Sequence, residues 1–414
     1  MANRAASNFL VRLEGELNSL ASQSQLRRLA VMPSVNFCSN DYLGLSTDIR
    51  LRNAVADAMA SGVAVGSTGS RLLSGNARIW EDLEAELARF AGAESALYFN
   101  SGYAANTGLF GCIAGPADII FSDRANHASI IDGIRLSGAR KAIFPHLDLD
   151  FLERELRRCD GDGDSGQKFI AVESVFSMDG DRAPLAELAS LASRYGAELI
   201  VDEAHATGVF GPEGRGLMAC SGAKQAVLAT VHPCGKAFAG MGAFICCSET
   251  LKRYLINRAR TFIFSTALPP YLAFQMRAAA GIVAAAEGAR SHLASLGEFL
   301  RARLRAAGFD TGGSSTQIVP VLLGANERSL QFANLLCEAG FAVRAIRPPT
   351  VPAGTSRLRL SLTAGMSIEI LEGLVSEMVR IREQAVPSVC GAGCDGDYDG
   401  AGDGAARSSA ARER

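Results

Sequence analysis

The succession of apolar runs and helical periodicities predicts an α/β fold: a large domain with a mostly parallel sheet flanked by helices, then a smaller C-terminal α+β domain. Three observations carry this expectation. The chain has 414 residues, whereas single hydrophobic cores usually stop growing at about 250–300 residues. Between about residues 90 and 250, short apolar runs alternate with helical patterns, as successive βα units do. From roughly residue 250 long helices come first and only short strands follow.

Taken in chain order, residues 1–35 read as a helical N-terminal segment. The run ARIWEDLEAELARFAGA sets Ile79, Leu83, Leu87 and Phe90 at helical spacing, the stripe of an amphipathic helix facing a core. SALYFN, DIIFSD, KFIAVES, AELIVDEA, AVLATV and GAFICCS are the expected strands of the large domain, which spans 36–285. The small domain, 286–386, takes in a helix ending near Ala306, the strand TQIVPVLL, a helix over Ser329–Ala339, the strands FAVRAI and SRLRLSLT, and a last helix over Ile368–Gln384. Residues 387–414 are rich in Gly, Asp, Ala and Arg and carry too little apolar area to order, so they read as a disordered tail.

Bulk properties narrow the function. Hydrophobic residues are 48% and charged residues 20%, enough for a sizeable core, and a formal charge of -2 gives no general attraction to nucleic acid or anionic membrane. No apolar leader and no uninterrupted apolar stretch of membrane-spanning length is present, so a cytoplasmic protein is expected. The ten cysteines lack paired CxxC spacing and read as reduced thiols; no metal site is expected.

The chemistry concentrates in a few turns. AELIVDEAHATG ends an apolar strand in Asp202, where open α/β sheets place ligands, and His205 follows three residues on. A carboxylate there can keep a pyridine nitrogen protonated, the main demand of pyridoxal 5′-phosphate (PLP) on its protein. Downstream, CGKAFAGMGAF sets Lys236 in a Gly-rich turn between apolar segments, where desolvation would make its amine a usable nucleophile. YFNSGYAAN begins a helix with Gly102 and Tyr103, whose N–H groups suit a phosphate, and DRANHASI brings His127 to another strand-to-helix junction, able to lie over an aromatic ring.

These parts stand in one order with NFCSNDYLGLS (36–46), GSTGSRLLSGN (66–76), SGYAAN (101–106), HASIIDG (127–133), ESVFSMDGDRAPL (173–185), VDEAHATGVFGPEGRG (201–216), GKAF (235–238), FSTALPP (264–270) and RPPTVPAGTSRLRLSLT (347–363). The chain thereby resembles the α-oxoamine synthase family of fold-type I PLP-dependent transferases, up to about residue 386. The resemblance implies a Schiff base of PLP on Lys236, Asp202 against the pyridine nitrogen, His205 with Ser177 at the ring's phenolic oxygen, and His127 stacked on the ring. It gives Gly102 and Tyr103 to the phosphate, Arg359 to the amino-acid carboxylate, and Asn40, Thr350 and Arg27 to further substrate contacts. It also implies a homodimer in which Ser265 and Thr266 reach the partner's phosphate. Within the family, AIRPPTVPAGTSRLRLSLT resembles the member joining L-alanine to a pimeloyl thioester of coenzyme A or acyl carrier protein, more than the glycine-using members that make aminolevulinate or aminoketobutyrate.

One position departs from the family. A Thr three residues before the lysine is usual there, and this chain has Pro233, which lacks both the hydroxyl and the N–H; the phosphate then needs other groups, among them His232, Ser265 or Thr266. Two readings from other classes are weaker. A nicotinamide dehydrogenase needs GxGxxG after an early strand, and no βα turn has it. A catalytically silent subunit of the same fold would lack the lysine, and Lys236 is present.

Overall fold

The structure, a computed structural model, describes residues 7–33, 35–161, 166–223 and 226–385. The expected tail of 387–414 lies outside the described residues. In chain order the strands are β1 (Val35–Asn36), β2 (Ser95–Phe99), β3 (Ile119–Asp123), β4 (Arg140–Phe144), β5 (Lys168–Glu173) and β6 (Ala197–Asp202). They continue with β7 (Val227–Pro233), β8 (Ala243–Cys247), β9 (Ile318–Gly324), β10 (Phe341–Ala342), β11 (Ala345–Ile346) and β12 (Ser356–Ser361).

Seven of these form one sheet in the order β2-β8-β7-β6-β5-β3-β4. The pairs β3–β4, β3–β5, β5–β6 and β6–β7 are parallel, and β8 runs antiparallel to both neighbours. Strands buried on both faces read as continuous apolar runs, which is why β5, β6 and β8 are legible in the sequence. Helices Gly102–Ile113 and Ala128–Ser137 cover one face, packing Leu109, Phe110 and Ile134 with Ile120, Ile200 and Ile245. Helices Leu149–Gly161 and Leu185–Arg194 cover the other, with Leu152, Leu156 and Leu188 against Phe121, Ile170 and Val201. Each fully buried side chain of this size contributes about 1.5–3 kcal/mol.

Downstream, β11-β12-β9 form an antiparallel sheet packed by helices Glu287–Ala306, Asn326–Glu338 and Ile368–Ala385. We propose the turn between helices Tyr271–Ala284 and Glu287–Ala306 as the boundary of the two domains. The N-terminal segment joins the second part: β1 pairs with β10 through Val35↔Phe341 and Asn36↔Ala342. Two expectations change in detail. FAVRAI is two strands, because Phe341–Ala342 pairs with β1 whereas Ala345–Ile346 pairs with β12. The edge strand β4 was not foreseen, since its Arg140 and Lys141 side chains are exposed and break the apolar signal. No described helix is long and apolar enough to cross a membrane.

Candidate active site

The parallel strands end on one edge, and the side chains there surround a cavity of about 360 Å³. Its wall includes Asn40, Gly102, Tyr103, His127, Glu173, Asp202, His205, Pro233 and Lys236. β5 ends in Glu173 and β6 in Asp202, and register sets these two directly beside each other. Most residues that the sequence assigned to chemistry thus meet at one place, the strand-end crevice where open sheets bind ligands.

Asp202 is buried and held at both oxygens: Oδ1 accepts from Ala204 N at 2.9 Å, and Oδ2 from Asn106 Nδ2 at 2.7 Å. The same Asn106 amide reaches Ser129 Oγ at 3.0 Å, and Ser129 meets His127 Nδ1 at 2.8 Å. His127 is the N-cap of helix Ala128–Ser137. Burial lowers its pKa, assisted by Lys236 and opposed by Asp202. Burial likewise lowers the pKa of Lys236, against the pull of Asp202 and Glu173, which moves the amine toward the neutral form that can act as nucleophile or base.

Glu173 was not foreseen. Burial and the neighbouring Asp202 carboxylate push its pKa up to about 8, with Lys236 opposing. Its Oε1 is buried without a hydrogen-bond partner among the described residues. No sequence signal separates it from any strand-end carboxylate; only the β5–β6 register places it beside Asp202.

A second chain of hydrogen bonds closes the opposite wall. His205 Nδ1 lies 2.5 Å from Tyr42 Oη, and Tyr42 donates to Asn40 Oδ1 at 3.1 Å. Arg359 Nη2 donates to the same Asn40 oxygen at 3.1 Å, and Arg359 Nε to the Ser177 carbonyl at 2.5 Å. Burial holds the His205 pKa well below its ordinary value, with Lys236 and Arg359 adding to the effect. Sequence reasoning named Asn40, Ser177, His205 and Arg359, and it missed Tyr42, the buried link between them. Arg359 and Ser177 reach the cavity wall through Asn40, which lines it.

The phosphate end is built on helix Gly102–Ile113. Ser101 Oγ caps it by accepting from Ala104 N at 3.0 Å, so the first-turn N–H groups of Gly102 and Tyr103 have no partner within the helix. A Cβ on Gly102 would stand 2.8 Å from Pro233 Cγ, so the proline ring packs on that glycine. His232 is not available to a phosphate here: its Nδ1 meets Thr207 Oγ1 at 2.8 Å and its Nε2 meets Thr230 Oγ1 at 2.7 Å, beside a separate cavity lined by Thr230 and Cys246. Thr266 is exposed and outside the cavity, and its carbonyl accepts from the cavity residue Asn100 at 2.7 Å. Arg27 and Thr350 are also outside, joined to each other at 3.5 Å.

These residues fit PLP. A buried carboxylate with both oxygens oriented suits a protonated pyridine nitrogen, an amine of lowered pKa faces it, and a capped helix N-terminus beside a glycine that admits no Cβ suits a phosphate. Among the described residues no cluster suits a metal ion.

Residues 33–378 match the family described as aminotransferase class I and II. The 8-amino-7-oxononanoate synthase of Geobacter sulfurreducens is 44% identical over 387 residues, covering 90% of this chain and 98% of that one, and the enzyme of Burkholderia thailandensis is 44% identical over 397 residues, covering 91% and 100%. Among solved structures, Sphingomonas wittichii serine palmitoyltransferase superposes with a TM-score of 0.84 at 29% identity, covering 92% of this chain and 98% of that one. The Francisella tularensis 8-amino-7-oxononanoate synthase superposes with a TM-score of 0.73 at 29% identity, covering 85% and 99%. The architecture is that of the fold-type I PLP-dependent transferases, and the chain belongs to the aminotransferase class I and II family.

Proposed function

We propose that this chain is a PLP-dependent acyltransferase that condenses L-alanine with a pimeloyl thioester, releasing CO2 and the free carrier thiol to give 8-amino-7-oxononanoate, a step of biotin biosynthesis. The observation that carries the reading is Lys236, an amine of lowered pKa facing Asp202 across a strand-end cavity, in a chain 44% identical to synthases of that name.

PLP supplies an aldehyde that takes up amines and a ring that stabilises negative charge at the amino acid's Cα. The chain's residues do the rest. Asp202 keeps the pyridine nitrogen protonated, and Asn106 and the Ala204 N–H hold that carboxylate in place. Lys236 Nζ would hold the cofactor and, as a free amine, would take the proton from alanine Cα and return one later. Arg359 receives the alanine carboxylate; its plane is fixed by Ser177 O and Asn40 Oδ1. His127 would cover the ring, its burial favouring the neutral imidazole. Gly102 and Tyr103 would hold the phosphate through their free first-turn N–H groups. His205, with Ser177, would hold the ring oxygen, and Tyr42 fixes the imidazole.

The working form is a homodimer in the cytoplasm, with Thr266 serving the partner's phosphate. Exposed Leu73, Phe264 and Met241, together with the position of Thr266 outside its own cavity, support a second copy against this rim. Arg27 and Thr350 receive the outer part of the acyl donor.

The test is a mass-spectrometric product assay with pimeloyl thioesters of coenzyme A and of acyl carrier protein, run with alanine, against glycine with succinyl or acetyl coenzyme A. Alanine with a pimeloyl donor should give the higher kcat/KM, and the better pimeloyl donor identifies the carrier. If a glycine pair wins, the chain is another α-oxoamine synthase.

A further inference from the structure

Outside the cavity, His146 lies between two carboxylates. Its Nδ1 is 2.9 Å from Asp123 Oδ1 and its Nε2 is 2.8 Å from Asp181 Oδ2. A carboxylate only accepts, so both ring nitrogens must carry protons and the imidazole is charged. The ring also stands edge-on to Phe176, with centroids 4.4 Å apart. Burial opposes the charge, but the hydrogen bonds and charges of Asp123 and Asp181 raise the His146 pKa to about 10.

The two carboxylates belong to different parts of the fold. Asp123 ends β3, and it also accepts from Ala125 N at 2.7 Å and Leu147 N at 2.9 Å. Asp181 belongs to the short hairpin closed by the Val175↔Arg182 bridge, the segment that follows Glu173. From the other side this hairpin is gripped by the C-terminal part of the chain. Thr316 Oγ1 and Ser315 N donate to Gly180 O at 2.8 and 3.0 Å, Arg357 pairs with Asp179, and Arg359 Nε donates to Ser177 O. Gly180 takes a left-handed φ of 68°, and a Cβ there would collide with the Ile318 carbonyl, so the hairpin backbone packs directly on β9.

We propose that His146 is a positioning residue: as an imidazolium it locks the 175–182 hairpin to the end of β3, and through the Ser177 carbonyl it fixes the angle at which Arg359 meets the substrate carboxylate. The inference rests on the reading of Arg359 as the alanine carboxylate holder. Nothing in the proposed reaction uses His146, Asp123 or Asp181 directly.

The experiment compares His146→Gln, Asp181→Asn, the double variant and Arg359→Lys in the full-length PLP-loaded protein. A Gln amide donates from one nitrogen only and carries no charge, so one carboxylate loses its partner. His146→Gln should raise the KM for alanine about ten- to hundredfold, the scale of a small misplacement propagated to a site, while kcat and the KM for the acyl thioester change far less. Asp181→Asn should act in the same direction, and the double variant should be no worse than the more severe single one. In the cofactor-free protein, the histidine NMR signal missing from His146→Gln should stay that of an imidazolium from pH 6 to pH 9. An unchanged alanine KM in both single variants, or a His146 signal titrating near its ordinary 6.5, overturns the proposal. Arg359→Lys separates the two readings: if it leaves the alanine KM unchanged the carboxylate assignment falls, and if it raises that KM while His146→Gln does not, only the role of His146 falls. Should His146→Gln be recovered unfolded, Asp181→Asn and the NMR titration of the unmodified protein still decide.

Discussion

At the floor of the cavity Glu173, Asp202 and Pro233 end three strands of one sheet, so their positions are set by register and by a core packed on both faces. At the rim, Arg27 and Thr350 meet through one 3.5 Å hydrogen bond between exposed side chains, and Thr266 faces solvent with only its carbonyl engaged. The floor is ordered before any ligand arrives. The rim side chains are exposed and engaged by few bonds, so they fit substrate selection better than chemistry. Loss of a floor group should therefore cost kcat, and loss of a rim group should cost KM for one substrate.

The largest effect is expected at Lys236. Lys236→Ala should lower kcat/KM by about 10²–10⁴-fold from the lost proton transfer alone, and by more once the attachment point is counted. Borohydride reduction of the unmodified protein followed by peptide mapping should find the pyridoxyl group on Lys236 and nowhere else. A pyridoxyl group on another lysine would move the floor elsewhere.

The Glu173–Asp202 pair should leave a mark on stability. Glu173 has its pKa raised from 4.5 to about 8, so the fold keeps a proton that the unfolded chain releases. Its contribution is present at low pH and is lost as the pH rises from about 4.5 through about 8, the range where the native state binds more protons. Glu203, pushed up to about 7 by burial, acts with the same sign over a narrower range. Glu173→Gln should remove the upper part of this decline, seen as a flatter pH dependence of the urea midpoint of the cofactor-free protein. An unchanged slope would show that burial beside Asp202 does not hold the Glu173 carboxyl protonated.

Pro233 tests how closely the floor is fitted. A threonine there would add a hydroxyl near the expected phosphate, and one hydrogen bond to a charged group contributes about 1.5–3 kcal/mol. It would also remove the ring that packs on Gly102. Pro233→Thr should tighten PLP binding by up to about tenfold or leave it unchanged, measured by equilibrium titration. A clear loss of affinity would mean that the helix start at Gly102 is shaped around the proline.

The floor was legible in the sequence because a fully buried parallel strand is an unbroken apolar run, and a charged residue at its end stands out, as Asp202 does after AELIV. The same logic applies to Glu173 after FIAV, which is passed over because nothing but register sets it beside Asp202, and it could not find Tyr42, Asn106 or His146. Each acquires its role from a partner distant in sequence: Tyr42 from His205, Asn106 from Asp202, His146 from Asp123 and Asp181. The rim residues carry no local signal at all, and only resemblance to a family pointed to Arg27, Thr350 and Thr266.

The smallest effect is expected at Arg27. If it meets the distal carboxylate of a pimeloyl chain, it does so as an exposed ion pair, which contributes about 0–1 kcal/mol. Arg27→Ala should then raise the KM for the pimeloyl thioester by no more than about fivefold. The KM for alanine and kcat should not move, because among the described residues Arg27 has no bond to the Asn40–Arg359 network. An acyl thioester of equal length without the distal carboxylate should show no difference between the two proteins, which separates charge recognition from packing. Added salt should shrink the difference for the pimeloyl donor, since exposed pairs are screened at ionic strengths near 0.1 M. A loss near a hundredfold, or one that falls on kcat, would mean that the rim closes over the substrate and shares the burial of the floor, and the contrast between the two regions would no longer hold in the working enzyme.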